Sequence, residues 1–102
     1  MELKVYWTES AIDQLEDIFD YYKFKANTKV AKKLVTKITD RTIQLVKQPE
    51  SGQLEELLKT RENKYRYIVE GNYKIIYWIE DKYIKIAAVF DTRQNPTNLN
   101  KL

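Results

Sequence analysis

The chain has 102 residues, of which 43% are hydrophobic and 32% are charged, and its formal net charge is +3. This composition is typical of an ordinary soluble protein, and residues 1–102 are predicted to form one domain in the cytoplasm. The chain has no cysteine and no histidine. These absences exclude a disulfide framework, thiolate metal sites and any catalytic site built on a histidine base. We expect no cofactor, no signal peptide and no membrane span.

The first 28 residues predict a strand followed by an acidic helix. Residues 2–7 alternate between apolar and polar side chains, as a half-buried strand does. Thr8 is the predicted N-cap of the helix, and Glu9 lies in the first turn, where a negative charge suits the helix dipole. Apolar residues then recur at helical spacing as far as Ala26. The opposite face carries the acidic residues Asp13, Glu16, Asp17 and Asp20.

A second helical pattern begins at Thr28, the predicted N-cap, and is predicted to be closed by Pro49 and Gly52. Its apolar residues are Ala31, Leu34, Val35, Ile38, Leu45 and Val46. Lys29, Lys33 and Lys37 form a ridge at intervals of four residues. The ridge is either a solvated face opposite the acids of the first helix or a contact for phosphate or an acidic partner. Two amphipathic helices with a short break predict an antiparallel helical hairpin.

The second half of the chain predicts strands at residues 65–69, 73–80 and 83–90, which are rich in tyrosine, isoleucine and valine. Residues 70–72 and 80–82 are short enough for hairpin connections, and one further short strand is possible near Leu57. The order β-α-α-β-β-β predicts an α+β fold, in which an antiparallel sheet of four to five strands packs against the N-terminal helical hairpin. The strands are apolar on both faces, so we expect the face away from the helices to meet a partner.

Several cations are candidates for a functional site. Arg66 lies between two tyrosines inside a predicted strand, where it is either stacked and paired with a carboxylate or functional. A three-residue hairpin loop would place Lys74 on the same face as Arg66, and a two-residue loop would place the two on opposite faces. The sequence leaves both registers open. Lys59, Arg61 and Lys64 make the preceding segment basic, and Arg93 follows the last strand.

Two further features have alternative interpretations. The adjacent Glu55 and Glu56 are predicted to be solvated surface charges, since neighbours on a strand point to opposite faces. Residues 87–96, AAVFDTRQNP, are either a strand that ends in solvent or the edge of a functional surface. We favour the functional surface, with Arg93 as the first residue to replace.

The ordered set of motifs resembles the RelE/ParE toxin superfamily. Residues 65–77 have the pattern YR-x-I-x-x-G-x-YKI-x-Y, which is similar to the YR-x-L-x-x-G-x-YRI-x-Y core of that superfamily. The opening of the first helix, with Ala11, Leu15, Ile18 and Tyr21, is similar to it as well. The pair Pro49 and Gly52 and the C-terminal segment 89–96 also resemble the superfamily. The resemblance covers essentially the whole chain in the same order.

The resemblance implies a small toxin of a type II toxin–antitoxin pair, of the plasmid stabilisation type. Such a toxin has a compact sheet with a helical hairpin, and it is neutralised in a hetero-oligomer by an antitoxin that is usually acidic in the segment that binds. No membrane is involved. If the chain is such a toxin, our candidate residues for binding the target or the antitoxin are Lys59, Arg61, Lys64, Tyr77, Trp78 and Asp91.

The superfamily divides by mechanism. RelE-like members cleave mRNA on the ribosome with a set of basic residues, which here would be Arg66, Lys74 and Arg93 with an assisting tyrosine. ParE-like members instead inhibit DNA gyrase by binding. Lys74 replaces the usual arginine and loses its bidentate fork for phosphate, and Ile68 stands where a nuclease often has a second cation. We therefore favour a ParE-like gyrase inhibitor, with a ribosome-dependent endoribonuclease or a degenerate toxin that retains only antitoxin binding as the alternatives.

Overall fold

The structure is a computed structural model, and it describes residues 2–58 and 62–93. The chain forms a β-α-α-β-β-β-β order with a short 3₁₀ turn between the second and third strands. The elements are β1 (Lys4–Trp7), α1 (Glu9–Lys25), α2 (Thr28–Gln44), β2 (Gln53–Leu54), the 3₁₀ turn (Glu56–Leu58), β3 (Arg66–Glu70), β4 (Tyr73–Glu80) and β5 (Tyr83–Asp91). The predicted α+β fold with a helical hairpin is confirmed. The extra short strand is β2, which lies a few residues before Leu57.

The starts of the two helices are fixed by side-chain caps. Thr8 caps α1 as predicted, because its hydroxyl accepts a hydrogen bond from Ala11 N at 3.2 Å. The predicted cap of α2 is wrong by one residue. Asn27, in extended conformation, accepts from Val30 N at 2.8 Å, and Thr28 is the first helical residue.

The second helix also ends earlier than predicted. It stops at Gln44 rather than continuing to Pro49. Leu45, Val46 and Lys47 donate to carbonyls only three residues back, so the last turn tightens and the ladder of the α-helix is lost. Leu45 is nevertheless buried, which is why its apolar spacing extends the helical pattern beyond the helix itself.

The five strands form one sheet in the order β1-β5-β4-β3-β2. All neighbouring pairs are antiparallel except β1 and β5, which are parallel, so the sheet is mixed rather than purely antiparallel. The β3–β4 loop has two residues, since Glu70 pairs with Tyr73. Gly71 and Asp81 each begin a hairpin loop with a positive φ, of 60° and 55°. Glycine and aspartate are among the residues that tolerate this conformation best.

The two faces of the sheet are covered unequally. The helical face packs against α1 and α2 and includes Ile68, Ile75, Tyr77, Ile84, Ile86 and Val89. The outer face has a smaller core of Leu58, Ile76, Ala87 and Ala88, with Tyr65, Tyr67, Trp78 and Phe90 packed around it. The segment that follows β2 therefore covers part of the face that the sequence assigned to a partner.

Candidate functional site

Arg66 lies at the start of β3 on the helical face, where it pairs across the strands with Tyr77. Its guanidinium donates from one nitrogen to Glu50 O at 3.2 Å and to Gly52 O at 2.8 Å. Charged donors make strong hydrogen bonds to carbonyls. Arg66 therefore holds the turn after α2 against the end of the sheet.

Tyr77 completes the same anchor from inside the protein. Its side chain has no exposed surface. The hydroxyl donates to Pro49 O at 2.7 Å and accepts from Gly52 N at 3.0 Å. A Cβ on Gly52 would lie 2.5 Å from that hydroxyl, so glycine is required by the close approach. Burial raises the pKa of Tyr77, and the residue acts as part of the framework rather than as a contact surface.

Lys74 lies on the outer face, opposite to Arg66, because the β3–β4 loop has two residues. Its ammonium forms an ion pair with Glu55, whose side chain is only 3% exposed. The same ammonium lies 4.1 Å from the ring centroid of Tyr67, within the range of a cation–π contact. The predicted surface exposure of Glu55 is therefore wrong, whereas Glu56 is exposed as predicted. Through this ion pair, Lys74 holds the segment after β2 against the sheet.

Arg93 and Asp91 form a second ion pair at the end of β5. The guanidinium Nε donates to Asp91 Oδ1 at 2.9 Å, and Nη2 donates to Oδ2. The Arg93 side chain is 67% exposed. These hydrogen bonds hold the pKa of Asp91 at about 2, below its usual value, and the carboxylate in turn raises the pKa of Arg93. The negative charge of Asp91 is thus neutralised locally, next to an open cleft.

That cleft lies between α1 and the end of β5 and has a volume of about 450 Å³. Its lining residues are Gln14, Asp17, Ile18, Tyr21, Tyr22, Tyr73, Val89, Phe90, Asp91 and Arg93. Burial, followed by the hydrogen bond with Tyr22, raises the pKa of Tyr73. The neutral form of this phenol is therefore favoured in the cleft.

Trp78 belongs to a separate aromatic cluster on the outer face. Its indole N–H donates to Glu80 at 3.1 Å, and Lys85 donates to the other carboxylate oxygen at 3.0 Å. The Lys85 bond, followed by the Trp78 bond, lowers the pKa of Glu80. Tyr6 and Tyr83 extend the cluster in an edge-to-face pair with centroids 6.2 Å apart.

The remaining predicted contact residues are basic. Lys64 is exposed beside the acidic Glu56 and Glu62. Lys59 and Arg61 lie outside the described residues. The lysine ridge on α2 is exposed, and among the described ion pairs none joins it to the acids of α1.

The sequence reasoning missed Gln14 and Tyr22 as members of the cleft. Gln14 Oε1 accepts a hydrogen bond from Val89 N at 2.8 Å. Gln14 could have been recognised from the sequence, because it is a polar residue on the apolar side of an amphipathic helix, three positions after Ala11. Within residues 2–58 and 62–93, no cluster of acidic side chains is arranged to hold a metal ion. None of the helices described is long and apolar enough to cross a membrane.

The family of the chain follows from a match to a family model. Residues 5–96 match the model described as ParE toxin of type II toxin-antitoxin system, parDE. The protein is therefore a toxin-family protein of the type II toxin–antitoxin systems. Within that class, the chain belongs to the ParE toxin family, and the predicted membership of the RelE/ParE superfamily is confirmed.

The fold is similar to that of a solved relative described as the chromosomal ParDE toxin–antitoxin system from P. aeruginosa. The TM-score is 0.71 at 19% sequence identity, and the match covers 87% of this chain and 95% of that one. At 19% identity, this similarity is evidence for the fold alone. Among the curated proteins, no sequence matches significantly.

Proposed function

We propose that this chain is a cytoplasmic toxin that arrests bacterial growth by binding to DNA gyrase. A cognate antitoxin neutralises it in a toxin–antitoxin hetero-oligomer. Membership of the ParE family supports the toxin role, and the solved relative is described as a two-component ParDE system, which supports the antitoxin partner.

The placement of the three candidate cations supports binding rather than RNA cleavage. A nuclease needs cations that converge on one phosphate and a group that transfers a proton. Arg66 and Lys74 lie on opposite faces of the sheet. Arg66 is bound to loop carbonyls and Lys74 to a buried carboxylate. Only Arg93 has a largely exposed side chain, and it is already paired with Asp91.

The proposed contact surface is the exposed end of β5 together with the outer face. Arg93 and Asp91 would contact the target or the antitoxin from the rim of the cleft. Trp78 on the outer face and the exposed Lys64 are further proposed contacts, and Lys59 and Arg61 belong to the same proposal. Tyr77 is left out because its side chain is buried.

The first test is growth arrest followed by a gyrase assay. We expect induction of the chain without antitoxin to stop growth and cause DNA breaks with an SOS response. We expect the purified protein to inhibit supercoiling by gyrase. Arg93→Ala is expected to weaken inhibition by about tenfold, as truncation of an interface charge does. Lys82→Ala, an exposed cation in the β4–β5 loop, is the matched control and should leave inhibition unchanged.

The second test distinguishes a nuclease. A translation reaction with a defined mRNA and purified toxin is read out by primer extension, with and without ribosomes. Intact mRNA supports the proposal. Codon-phased cuts that need the ribosome and disappear in Arg93→Ala and in the charge-free double variant Glu55→Leu/Lys74→Met would overturn it in favour of an endoribonuclease. A chain that binds antitoxin but neither arrests growth nor inhibits gyrase would be a degenerate toxin.

A further inference from the structure

Charge is divided sharply along the helical hairpin. Residues 1–20 contain six acidic residues and one lysine, whereas residues 21–39 contain six lysines and no acidic residue. The division falls within α1, so the last turn of α1 and the adjoining half of α2 have the same sign. The hairpin brings these two stretches together, because only two residues separate the helices. We call this group the lysine patch, and its members are Lys23, Lys25, Lys29, Lys32, Lys33 and Lys37.

The positive charge of the lysine patch is available to a ligand. All six side chains belong to exposed residues. Among the ion pairs within residues 2–58 and 62–93, none includes a lysine of the patch. Lys25 Nζ lies 6.0 Å from the ring centroid of Tyr21, at the outer limit of a cation–π contact. The patch is therefore not held by carboxylates of the fold.

The arrangement of the lysines is unfavourable for the free protein. Lys29 lies in the first turn of α2, where the helix dipole is positive, and that turn contains no acidic residue. Lys29, Lys33 and Lys37 follow each other at intervals of four residues, and like charges at this spacing repel each other. A bound anion would relieve both repulsions. The placement of the lysines therefore favours an anionic ligand.

The residue type favours phosphate over the carboxylates of a protein partner. Protein interfaces are enriched in arginine and depleted in lysine. Arginine has a planar fork that matches a carboxylate, whereas the ammonium of lysine acts as a point charge that binds phosphate well. The patch consists of lysines alone. A row of phosphates is therefore the better match.

The geometry favours duplex DNA over the other polyanions. A helix that binds a lipid surface keeps its apolar face free, but here the apolar faces of α1 and α2 pack against the sheet. From Lys29 to Lys37 the helix rises by about 12 Å. This length is close to the width of the major groove of B-DNA, about 12 Å, whereas the major groove of duplex RNA is deep and narrow.

We propose that the lysine patch binds the phosphate backbone of duplex DNA without regard to base sequence. α2 lies across the major groove, with Lys29 near the phosphates of one strand and Lys37 near those of the other. Lys23 and Lys25 add contacts from the end of α1. The acidic first part of α1 is repelled by the phosphates and is directed away from the duplex.

This inference goes beyond the proposed function and does not rest on it, because the binding needs DNA and not gyrase. The lysine patch and the contact surface at the end of β5 are formed by different elements. A protein with both surfaces can hold its protein target and a neighbouring duplex at the same time.

Fluorescence anisotropy with the purified full chain and a short labelled duplex of mixed sequence tests the patch. Between about 50 and 200 mM salt, we expect the logarithm of the binding constant to fall against the logarithm of salt concentration with a slope of about −3.6 or steeper, as for at least about four phosphate contacts. Lys29→Gln/Lys33→Gln should weaken binding by about tenfold or more. It should also make the slope shallower by about 1.8, because two contacts are lost.

Two matched variants separate local charge from folding and from net charge. Lys29→Arg/Lys33→Arg keeps both charges and should bind as wild type does. Lys4→Gln/Lys82→Gln removes the same net charge from two exposed residues beyond the start of α1, and α1 is about 25 Å long. This variant should keep the wild-type slope. Circular dichroism checks that each variant is folded.

Every outcome bears on the proposal. Wild-type binding by Lys29→Gln/Lys33→Gln, or equal losses in that variant and in Lys4→Gln/Lys82→Gln, would overturn the patch as the site. Tighter binding to a duplex RNA of the same sequence would overturn DNA as the ligand. Binding to anionic phospholipid vesicles but not to DNA, lost in Phe24→Ala, would show a membrane surface instead. DNA binding by a chain that does not inhibit gyrase would support this inference while the proposed function fails.

Discussion

Two ion pairs of the same chemistry lie at neighbouring positions of the sheet and have different surroundings. Asp91 pairs across the strands with Tyr73, and Lys74 pairs with Phe90, so the two positions are adjacent and point to opposite faces. The Lys74–Glu55 pair is covered by the segment after β2, whereas Arg93–Asp91 lies at the open end of β5.

The difference in burial separates a structural charge from an available one. A charge removed from water must keep its partner, because an unpaired buried charge is costly. An exposed pair contributes little to stability and is free to exchange partners. Only the cation of an exposed pair can bind a target without disturbing the fold. The buried pair therefore belongs to the scaffold, and Arg93 belongs to the proposed contact surface.

The largest effect is expected from breaking the buried pair. Glu55→Ala leaves the ammonium of Lys74 largely buried without its carboxylate and should lower the free energy of unfolding by about 3 kcal/mol. Urea denaturation measures this, with Glu16→Ala on the exposed side of α1 as the control, expected within about 0.5 kcal/mol. The double variant Glu55→Leu/Lys74→Met should regain most of the loss. A loss in the double variant equal to that in Glu55→Ala would show that packing, not charge, dominates here.

A smaller effect is expected at the anchor of the turn after α2. Tyr77→Phe removes a buried hydroxyl that accepts from Gly52 N and donates to Pro49 O. We expect a loss of about 1–2 kcal/mol, because both backbone groups lose a partner. Tyr67→Phe, whose hydroxyl bonds to exposed Gln53, is the control, with about 0.5 kcal/mol. Equal midpoints for the two variants in urea would contradict this role.

The exposed pair should be visible in the pH dependence of stability. The pKa of Asp91 is about 2 in the folded protein, below its usual 3.8. Because the folded pKa is lowered, the contribution of Asp91 is complete above about pH 4 and is lost as the pH falls towards 2. Urea midpoints measured from pH 5 to pH 2 should fall less steeply in Arg93→Ala than in wild type. Parallel curves would show that the pair is not formed in solution.

The smallest effect on stability is expected from Arg93→Ala itself. At neutral pH its urea midpoint should lie only slightly below that of wild type, because an ion pair with a mostly exposed side chain contributes little to stability. Growth arrest should nevertheless be weakened. A variant with unchanged stability and full toxicity would remove Arg93 from the proposed contact surface.

Local patterns in the sequence predicted most of the fold. The alternation of β1, the Thr8 cap and the three strongly β-branched and aromatic strands were all visible, because each depends on residues close together in the chain. The parallel pairing of β1 with β5 was not predictable from such patterns, since it joins Lys4 to Tyr83. The end of α2 was placed too late because Leu45 and Val46 continue the apolar spacing in the turn that follows.

The site was less predictable than the fold. Glu55 looked like a surface charge beside Glu56. In the fold it is buried and paired with Lys74, which is nineteen positions away and is placed by the register of the β3–β4 hairpin. The two-residue loop that separates Arg66 from Lys74 was one of two registers that the sequence allowed. Arg93 and Asp91 were predicted as candidates from the polar end of an apolar strand. The cleft beside them required the packing of α1.

The parallel pairing of the first and last strands also governs the order of events during synthesis. Tyr83 follows Lys4 by 79 residues, and at about 5–20 residues per second β1 waits roughly 4–16 s for its neighbour. The three-strand meander of β3, β4 and β5 closes through short loops, whereas β1 and α1 must wait for β5 before they can complete the cleft. The first strand and the first helix therefore acquire their place on the sheet only after nearly the whole chain has been synthesised.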